Sequence, residues 1–325
     1  MPPRIYITRQ LPDPVFKRLD EVGYDYEVYP EDQVIPREVL LREVEGRDGI
    51  LCILTDTIDA EVFEHASQAK IFANYAVGYN NIDVPEATKR GIAITNTPGV
   101  LTETTADLAW ALILSTARRV VEADNYLRTG EWSGWGPMQL LGQEVTGATL
   151  GIVGMGRIGL AVAKRAAAFD MKVLYYNRNR SAEADQIEPK PEYVELDELL
   201  KRSDFVSVHA PLMQETTHLI SERELKLMQP HAILINTARG PIVDEAALAK
   251  ALKERWIWGA GIDVYEEEPK VHPELINLPN AVLLPHLGSA THGTRTRMGL
   301  KAVENLIAFF EGKRPPNLVN EGIWK

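Results

Sequence analysis

Cysteine is almost absent from this chain: among 325 residues there is one, Cys52. A single thiol excludes an intrachain disulfide and any metal centre built on a set of thiolates, so no metal site is expected. Cys52 sits in the apolar run Gly49–Leu54, where it reads as a small hydrophobe in a buried strand. Long apolar stretches are also lacking, and none approaches the ~18 residues needed to cross a bilayer. Basic residues are outnumbered, 35 Lys and Arg against 46 Asp and Glu, for a net charge of −11. That balance disfavours nucleic acid and anionic membrane as partners, because both require a basic face. It leaves room for a small anion, since the local field of a site can oppose the global charge. The start, Met1-Pro2-Pro3-Arg4-Ile5, carries no basic segment followed by an apolar core, and the expectation is a soluble, cytoplasmic protein. Gly and Pro, 23 and 20 residues, are scattered singly, so no low-complexity segment is indicated.

What the chain does contain is alternation. Short β-rich runs at Arg4–Thr8, Tyr26–Tyr29, Gly49–Leu54, Ile71–Tyr75 and Ile92–Asn96 are separated by helical patterns. These lie from Asp13 and near Arg37–Val44, Ala60–Ala66 and Val84–Arg90. Strands alternating with helices predict a parallel sheet covered on both faces. Thr97-Pro98-Gly99 breaks the pattern, and helical spacing of Leu108, Ala109, Leu112, Ile113 and Val120 predicts one long helix from about Leu101 to Tyr126. A looser stretch with Trp132 and Trp135 follows. A second alternating unit then runs from Ala148 to about Gly288, and a last helical pattern covers Thr294–Glu311. The fold class read from this is α/β with two doubly wound parallel-sheet domains. Residues 99–288 are expected to form one of them, and residues 1–98 and 289–325 the other, completed by the C-terminal helix.

The strongest local signal is a G-x-G-x-x-G pattern at Gly154, Gly156 and Gly159, between an apolar strand and an Ala-rich helix. Gly154 permits the tight turn, Gly156 admits a pyrophosphate close to the backbone, and Gly159 lets the helix pack on the strand. Arg157 and Ile158 open that helix, whose free N–H groups suit phosphate. A glycine-rich turn without a ligand is the alternative. The next strand, Lys172–Tyr176, runs into Asn177-Arg178-Asn179-Arg180. An acidic residue here would bind the adenosine ribose hydroxyls of NAD. Neutral Asn177 with Arg178 and Arg180 instead favours a 2′-phosphate, hence NADP with NAD possible. Solvated arginines on an exposed turn are the plainer alternative.

Further ordered stretches complete the pattern: His209-Ala210-Pro211-Leu212 with Thr216, Ile235–Gly240, Gly261–Pro269, Leu284–Ser289, and in the first half Val77–Asp83 and Asn96–Gly99. Jointly the chain resembles the D-isomer-specific 2-hydroxyacid dehydrogenases, which include glyoxylate and hydroxypyruvate reductases. The resemblance implies a Rossmann dinucleotide-binding domain over 99–288, a flavodoxin-like substrate domain over 1–98 and 289–325, and a catalytic trio of Arg239, Glu268 and His286. Arg239 would grip the carboxylate of a 2-oxo acid and polarise its carbonyl. His286 would donate the proton, and Glu268 would orient the ring and favour its protonated form. Glu266 and Glu267 are expected to be solvated. The resemblance also implies cofactor contacts at His209, Ala210, Pro211, Thr216, Thr237, Ala238, Asp263, Gly288 and Thr105, with Asp263 orienting the nicotinamide carboxamide. Leu54, Val77 and Gly78 fall on the substrate side with Arg239 and His286, the N–H groups of Val77 and Gly78 being suited to a carboxylate.

Leu54 and a tryptophan, Trp132 or Trp135, would keep the substrate small, which points to glyoxylate and hydroxypyruvate and to glycolate and D-glycerate as products. The long helix and the Trp-containing segment imply a homodimer. Glu268 argues against a formate dehydrogenase, where glutamine is usual. A dinucleotide-sensing corepressor keeps the same trio, but the chain lacks the long extensions of such regulators, which favours an enzyme.

Overall fold

A computed structural model describes residues 1–324. The chain divides into two compact units, Met1–Leu101 together with the chain from Ala290 onward, and Thr102–Ser289. The first holds five strands: β1 Arg4–Ile7, β2 Asp25–Val28, β3 Gly49–Ile53, β4 Ile71–Tyr75 and β5 Ala93–Thr95. They are hydrogen-bonded in the order β2-β1-β3-β4-β5, all parallel. Strand alternation separates two apolar layers. Ile5, Ile7 and Leu51 face one core with Val15, Leu19, Met298 and Leu306, while Tyr6, Ile50 and Cys52 face the other with Val62, Phe63 and Phe72. The helix His292–Phe310 contributes to the first of these layers and packs on β4 and on the helix Asp13–Glu21. Cys52 is fully buried, as an apolar strand residue should be.

Helix starts follow their capping chemistry. The Asp59 carboxylate accepts from Val62 N at 3.2 Å, and that of Asp83 from Glu86 N at 2.9 Å, each satisfying an N–H that the first helical turn leaves free.

The second unit is a seven-stranded parallel sheet of β6 Thr149–Val153, β7 Lys172–Tyr176, β8 Glu192–Tyr193, β9 Phe205–Val208, β10 Ile233–Asn236, β11 Gly259–Ile262 and β12 Ala281–Leu283. Their order is β12-β11-β10-β9-β6-β7-β8. The winding reverses between β6 and β9, and such a switch point opens a crevice at the carboxyl ends of the strands. The two sheets and their flanking helices bear out the α/β, doubly wound expectation.

The single long helix does not form. It is two helices, Thr102–Ala117 and Val120–Arg128, broken at Arg119, whose φ of 53° is left-handed. The break has identifiable causes. The Ala117 carbonyl accepts from Gln143 N at 2.9 Å instead of from a continuing helix, and the Arg119 guanidinium is held by Glu122 at 2.7 and 2.8 Å. Apolar spacing carries no information about backbone that returns from 26 residues further on, at Gln143.

Candidate active site

The residues singled out in the second unit gather at the carboxyl edge of its sheet. Gly154 follows β6, Asn177 follows β7, His209 follows β9, Arg239 comes three residues after β10, and Asp263 directly follows β11. Glu268 lies in the loop after β11, and His286 comes three residues after β12. Adjacent parallel strands thus deliver side chains that are far apart in sequence to one rim.

At the centre is an acid–base pair. His286 Nδ1 lies 2.8 Å from Glu268 Oε2, and both side chains are about one quarter exposed, 25% and 26%. The other Glu268 oxygen accepts from Tyr265 N at 3.1 Å. Burial pushes the Glu268 carboxyl up; the bond to His286, its charge, the Tyr265 N–H and Arg239 outweigh this and leave it below its ordinary range. An ionised carboxylate at Nδ1 makes that nitrogen the protonated one and leaves Nε2 as the atom that can exchange a proton. Burial lowers the Arg239 guanidinium from its usual value and Glu268 opposes the shift; arginine stays charged in either case. Arg239 Nη1 also donates to Ala238 O at 2.7 Å.

His286 has a φ of +55°, uncommon for a residue with a side chain. Asp263 holds it there. Its carbonyl accepts from His286 N at 2.9 Å, and its carboxylate accepts from Leu287 N at 2.6 Å and Gly288 N at 2.9 Å. Thr105 Oγ1 closes the turn by donating to Gly288 O at 3.1 Å. Asp263 is buried, and burial raises its pKa against the pull of these N–H groups and of His286. Each of its carboxylate oxygens therefore serves the turn that carries His286. Nothing in the sequence motif points to that duty.

Gly240 adds a second unforeseen support. A side chain there would overlap the carbonyl of Tyr265 and the nitrogen of Glu266, so only glycine lets the backbone beside Arg239 lie against the loop that bears Glu268. The same loop is gripped by Glu245, whose carboxylate accepts from Glu266 N at 2.5 Å and His272 N at 3.2 Å. Glu266 is not the solvated residue expected: it accepts from Glu245 N at 2.8 Å and pairs with His218 Nε2 at 3.0 Å, because the loop folds back on the helix Glu245–Lys253. Glu267 is 79% exposed, as expected.

The glycine loop has the geometry a phosphate cradle requires. Gly154 has a φ of +100° and lies against the backbone of His209 and Ala210, while around Gly156 nothing would meet a Cβ within 4 Å. Gly156 precedes the helix Arg157–Ala166, which begins with Arg157, Ile158 and Gly159. His209 Nε2 lies 2.8 Å from Ser207 Oγ, and burial drives its pKa down to about 3, so the ring is neutral at neutral pH. Thr216 Oγ1 donates to Pro211 O at 2.7 Å and fixes the loop between them. Thr237 is buried, and Ala238 N donates to Asn236 Oδ1 at 3.0 Å. Beyond β7, Asn177 O accepts from Tyr193 at 3.1 Å and Asn179 is exposed. Arg180 pairs with Asp185 at 2.9 Å, whereas Arg178 forms no ion pair among the described residues.

In the first unit, Leu54 is at the tip of a turn after β3, and Val77 and Gly78 follow β4. Among the described residues, neither Val77 N nor Gly78 N donates to a protein acceptor. No group of side chains suited to a metal ion and no helix long and apolar enough to cross a membrane occur among the described residues.

A parallel sheet with a glycine-rich turn at its switch point and an acid–base pair on the same rim defines a dinucleotide-dependent oxidoreductase. Residues 110–288 match the family model described as the D-isomer specific 2-hydroxyacid dehydrogenase, NAD binding domain. The chain is 54% identical to a glyoxylate reductase of Thermococcus litoralis over 99% of its length and 98% of that protein's. Its structure is similar to that of a Thermus thermophilus protein, with 48% identity, a TM-score of 0.91 and coverage of 97% of this chain and 99% of the other. It is also similar to an NADPH-dependent glyoxylate/hydroxypyruvate reductase from Sinorhizobium meliloti solved with NADP and malonate. There the identity is 34%, the TM-score 0.85 and the coverage 99% and 98%. The chain belongs to the D-isomer specific 2-hydroxyacid dehydrogenase family.

Proposed function

We propose that this enzyme reduces glyoxylate to glycolate and hydroxypyruvate to D-glycerate with NADPH, and that His286 supplies the proton. The observation that carries this reading is the 2.8 Å contact between His286 Nδ1 and Glu268, which leaves Nε2 facing away from its carboxylate partner. NADPH, when bound, supplies the hydride. Arg239 holds the substrate carboxylate and draws charge onto the carbonyl oxygen. As C2 takes the hydride, that oxygen becomes an alkoxide and receives the Nε2 proton, while Glu268 stabilises the ring's charged form beforehand. Leu54, Val77 and Gly78 take part in substrate binding, with Leu54 limiting size and the N–H groups serving the carboxylate.

NADPH is preferred over NADH because Asn177 presents no charge against a 2′-phosphate and Arg178 forms no ion pair among the described residues, in line with the NADPH dependence in the name of the Sinorhizobium relative. Gly154, Gly156, Arg157, Ile158 and Gly159 cradle the pyrophosphate, with Asn179, Arg180, His209, Ala210, Pro211, Thr216, Thr237, Ala238, Asp263, Gly288 and Thr105 around the dinucleotide. A homodimer accounts for the exposed Val120, Val121, Leu127, Trp132, Trp135, Met138 and Leu141. The test is oxidation of NADPH and of NADH on addition of glyoxylate. Fast NADPH turnover that is lost in His286→Ala supports the reading. Tight cofactor binding without turnover on glyoxylate or hydroxypyruvate overturns it.

A further inference from the structure

Three consecutive carbonyls after β4 are held by donors of the first unit. Ala76 O accepts from Thr97 N at 2.8 Å, Val77 O from Asn96 Nδ2 at 2.7 Å, and Gly78 O from Asn74 Nδ2 at 3.0 Å. A trans peptide is planar, with its C=O and N–H pointing in opposite directions. Pinning these carbonyls therefore turns the N–H groups of Val77, Gly78 and Tyr79 the other way. Among the described residues none of the three donates to a protein acceptor. Successive N–H groups left without protein acceptors can serve an anion without adding charge.

We propose that Asn74 and Asn96 are positioning residues, whose side-chain amides hold the Gly78 and Val77 carbonyls and so aim three backbone N–H groups at the carboxylate of a small 2-oxo acid. The inference rests on the reading above that Val77 and Gly78 bind substrate. Asn74 is completely buried in β4, out of reach of a ligand, so its part is played through the peptide it holds. It is also linked to the neighbouring turn: Asn74 Nδ2 donates to Asn81 Oδ1 at 3.2 Å, and Asn81 Nδ2 donates to the carbonyls of Ile53 and Asp56, both at 3.1 Å. One run of amides thus fixes the N–H groups after β4 and the turn that carries Leu54. Donors fixed before the anion arrives need no reorganisation when it binds.

The test uses oxalate as a non-reacting probe and glyoxylate as substrate, with the intact enzyme loaded with NADP⁺ or NADPH. In ¹H–¹⁵N spectra of the wild type, saturating oxalate should shift the Val77, Gly78 and Tyr79 amides. Asn96→Asp and Asn74→Asp keep the side-chain volume but set an acceptor against the carbonyl. Each should weaken oxalate binding and raise the KM for glyoxylate about tenfold, the scale of one hydrogen bond to a charged group. kcat should change less than KM, and the NADPH Kd should not move. Wild-type amides unmoved by oxalate overturn the substrate reading and this proposal together. Amides that shift in the wild type, with variants that bind oxalate as tightly, overturn the positioning role alone. If Asn74→Asp does not fold, Asn96→Ala, at a half-buried side chain, decides the matter.

Discussion

Asp56 is a buried carboxylate that the proposed chemistry does not use, and replacing it by asparagine should stabilise the first unit at alkaline pH. Its Oδ2 accepts from Thr8 Oγ1 at 2.5 Å and Ile53 N at 2.8 Å, while Oδ1 is buried without a partner. Burial raises its pKa from 3.8 to about 6, against the pull of the Ile53 N–H, Thr8 and Arg9. Between these values the folded chain holds a proton that the unfolded chain has released. Stability from this group is therefore present below the unfolded value and is lost as pH rises through the folded one. About two pH units at 1.36 kcal/mol each correspond to about 3 kcal/mol by pH 8.

Asparagine keeps an oxygen for Thr8 and Ile53 and never ionises. Any constant cost of its amide cancels when the difference between variant and wild type is compared at two pH values. The expected result for Asp56→Asn is a gain about 2–3 kcal/mol larger at pH 8 than at pH 4. Urea titration with hydrogen exchange read at the β1 and β3 amides measures it within the unit concerned. A variant less stable than wild type at pH 8, by the same margin as at pH 4, would refute the argument. It would mean that the Arg9 charge keeps Asp56 ionised at no cost.

Glu268→Gln should lower kcat for glyoxylate reduction about tenfold or more, because the charge-assisted bond of about 1.5–3 kcal/mol that fixes the proton on His286 Nδ1 is lost. Steady-state rates with NADPH and glyoxylate measure this, and an unchanged kcat removes Glu268 from its assigned part. Asn177→Asp with Arg178→Ala should weaken NADPH binding at least tenfold, about 1.4 kcal/mol, and tighten NADH binding. Fluorescence titration of both cofactors checks it, and parallel losses for the two would point to a damaged fold instead of altered selectivity.

The elements that sequence located best are those whose residues serve one physical demand. β4 and β7 have the ends expected, since each is a mostly apolar run within a buried sheet, with Asn74 and Lys172 the polar exceptions. The helix over 101–126 was read as one because Leu108, Leu112 and Val120 keep their spacing across the break. What ends the first helix is Gln143 N reaching Ala117 O, a contact between segments far apart in the chain. The proposed trio of Arg239, Glu268 and His286 comes from the family resemblance, since seven histidines are present and chemistry alone does not single out His286. Glu266 was misjudged because its partners, His218 and Glu245 N, become neighbours only when the loop has closed.

The supports behind those residues are harder to read, and for a stated reason. Asp263 and Asn74 act by holding backbone, and any Asp or Asn can do so at a turn, a cap or a strand end. A left-handed His286 costs on the order of 1–3 kcal/mol in backbone strain, and three hydrogen bonds that Asp263 accepts from consecutive N–H groups offset it. Asn74 and Asn96 hold consecutive carbonyls after β4 in the same way. In both units the groups proposed to meet a ligand are kept in place by short polar side chains behind them. Asn74 stands out in Ile71-Phe72-Ala73-Asn74-Tyr75 as the polar residue of an otherwise apolar strand, and a buried amide of that kind must find partners. A lone polar residue of this sort marks the position of a polar network without giving its direction.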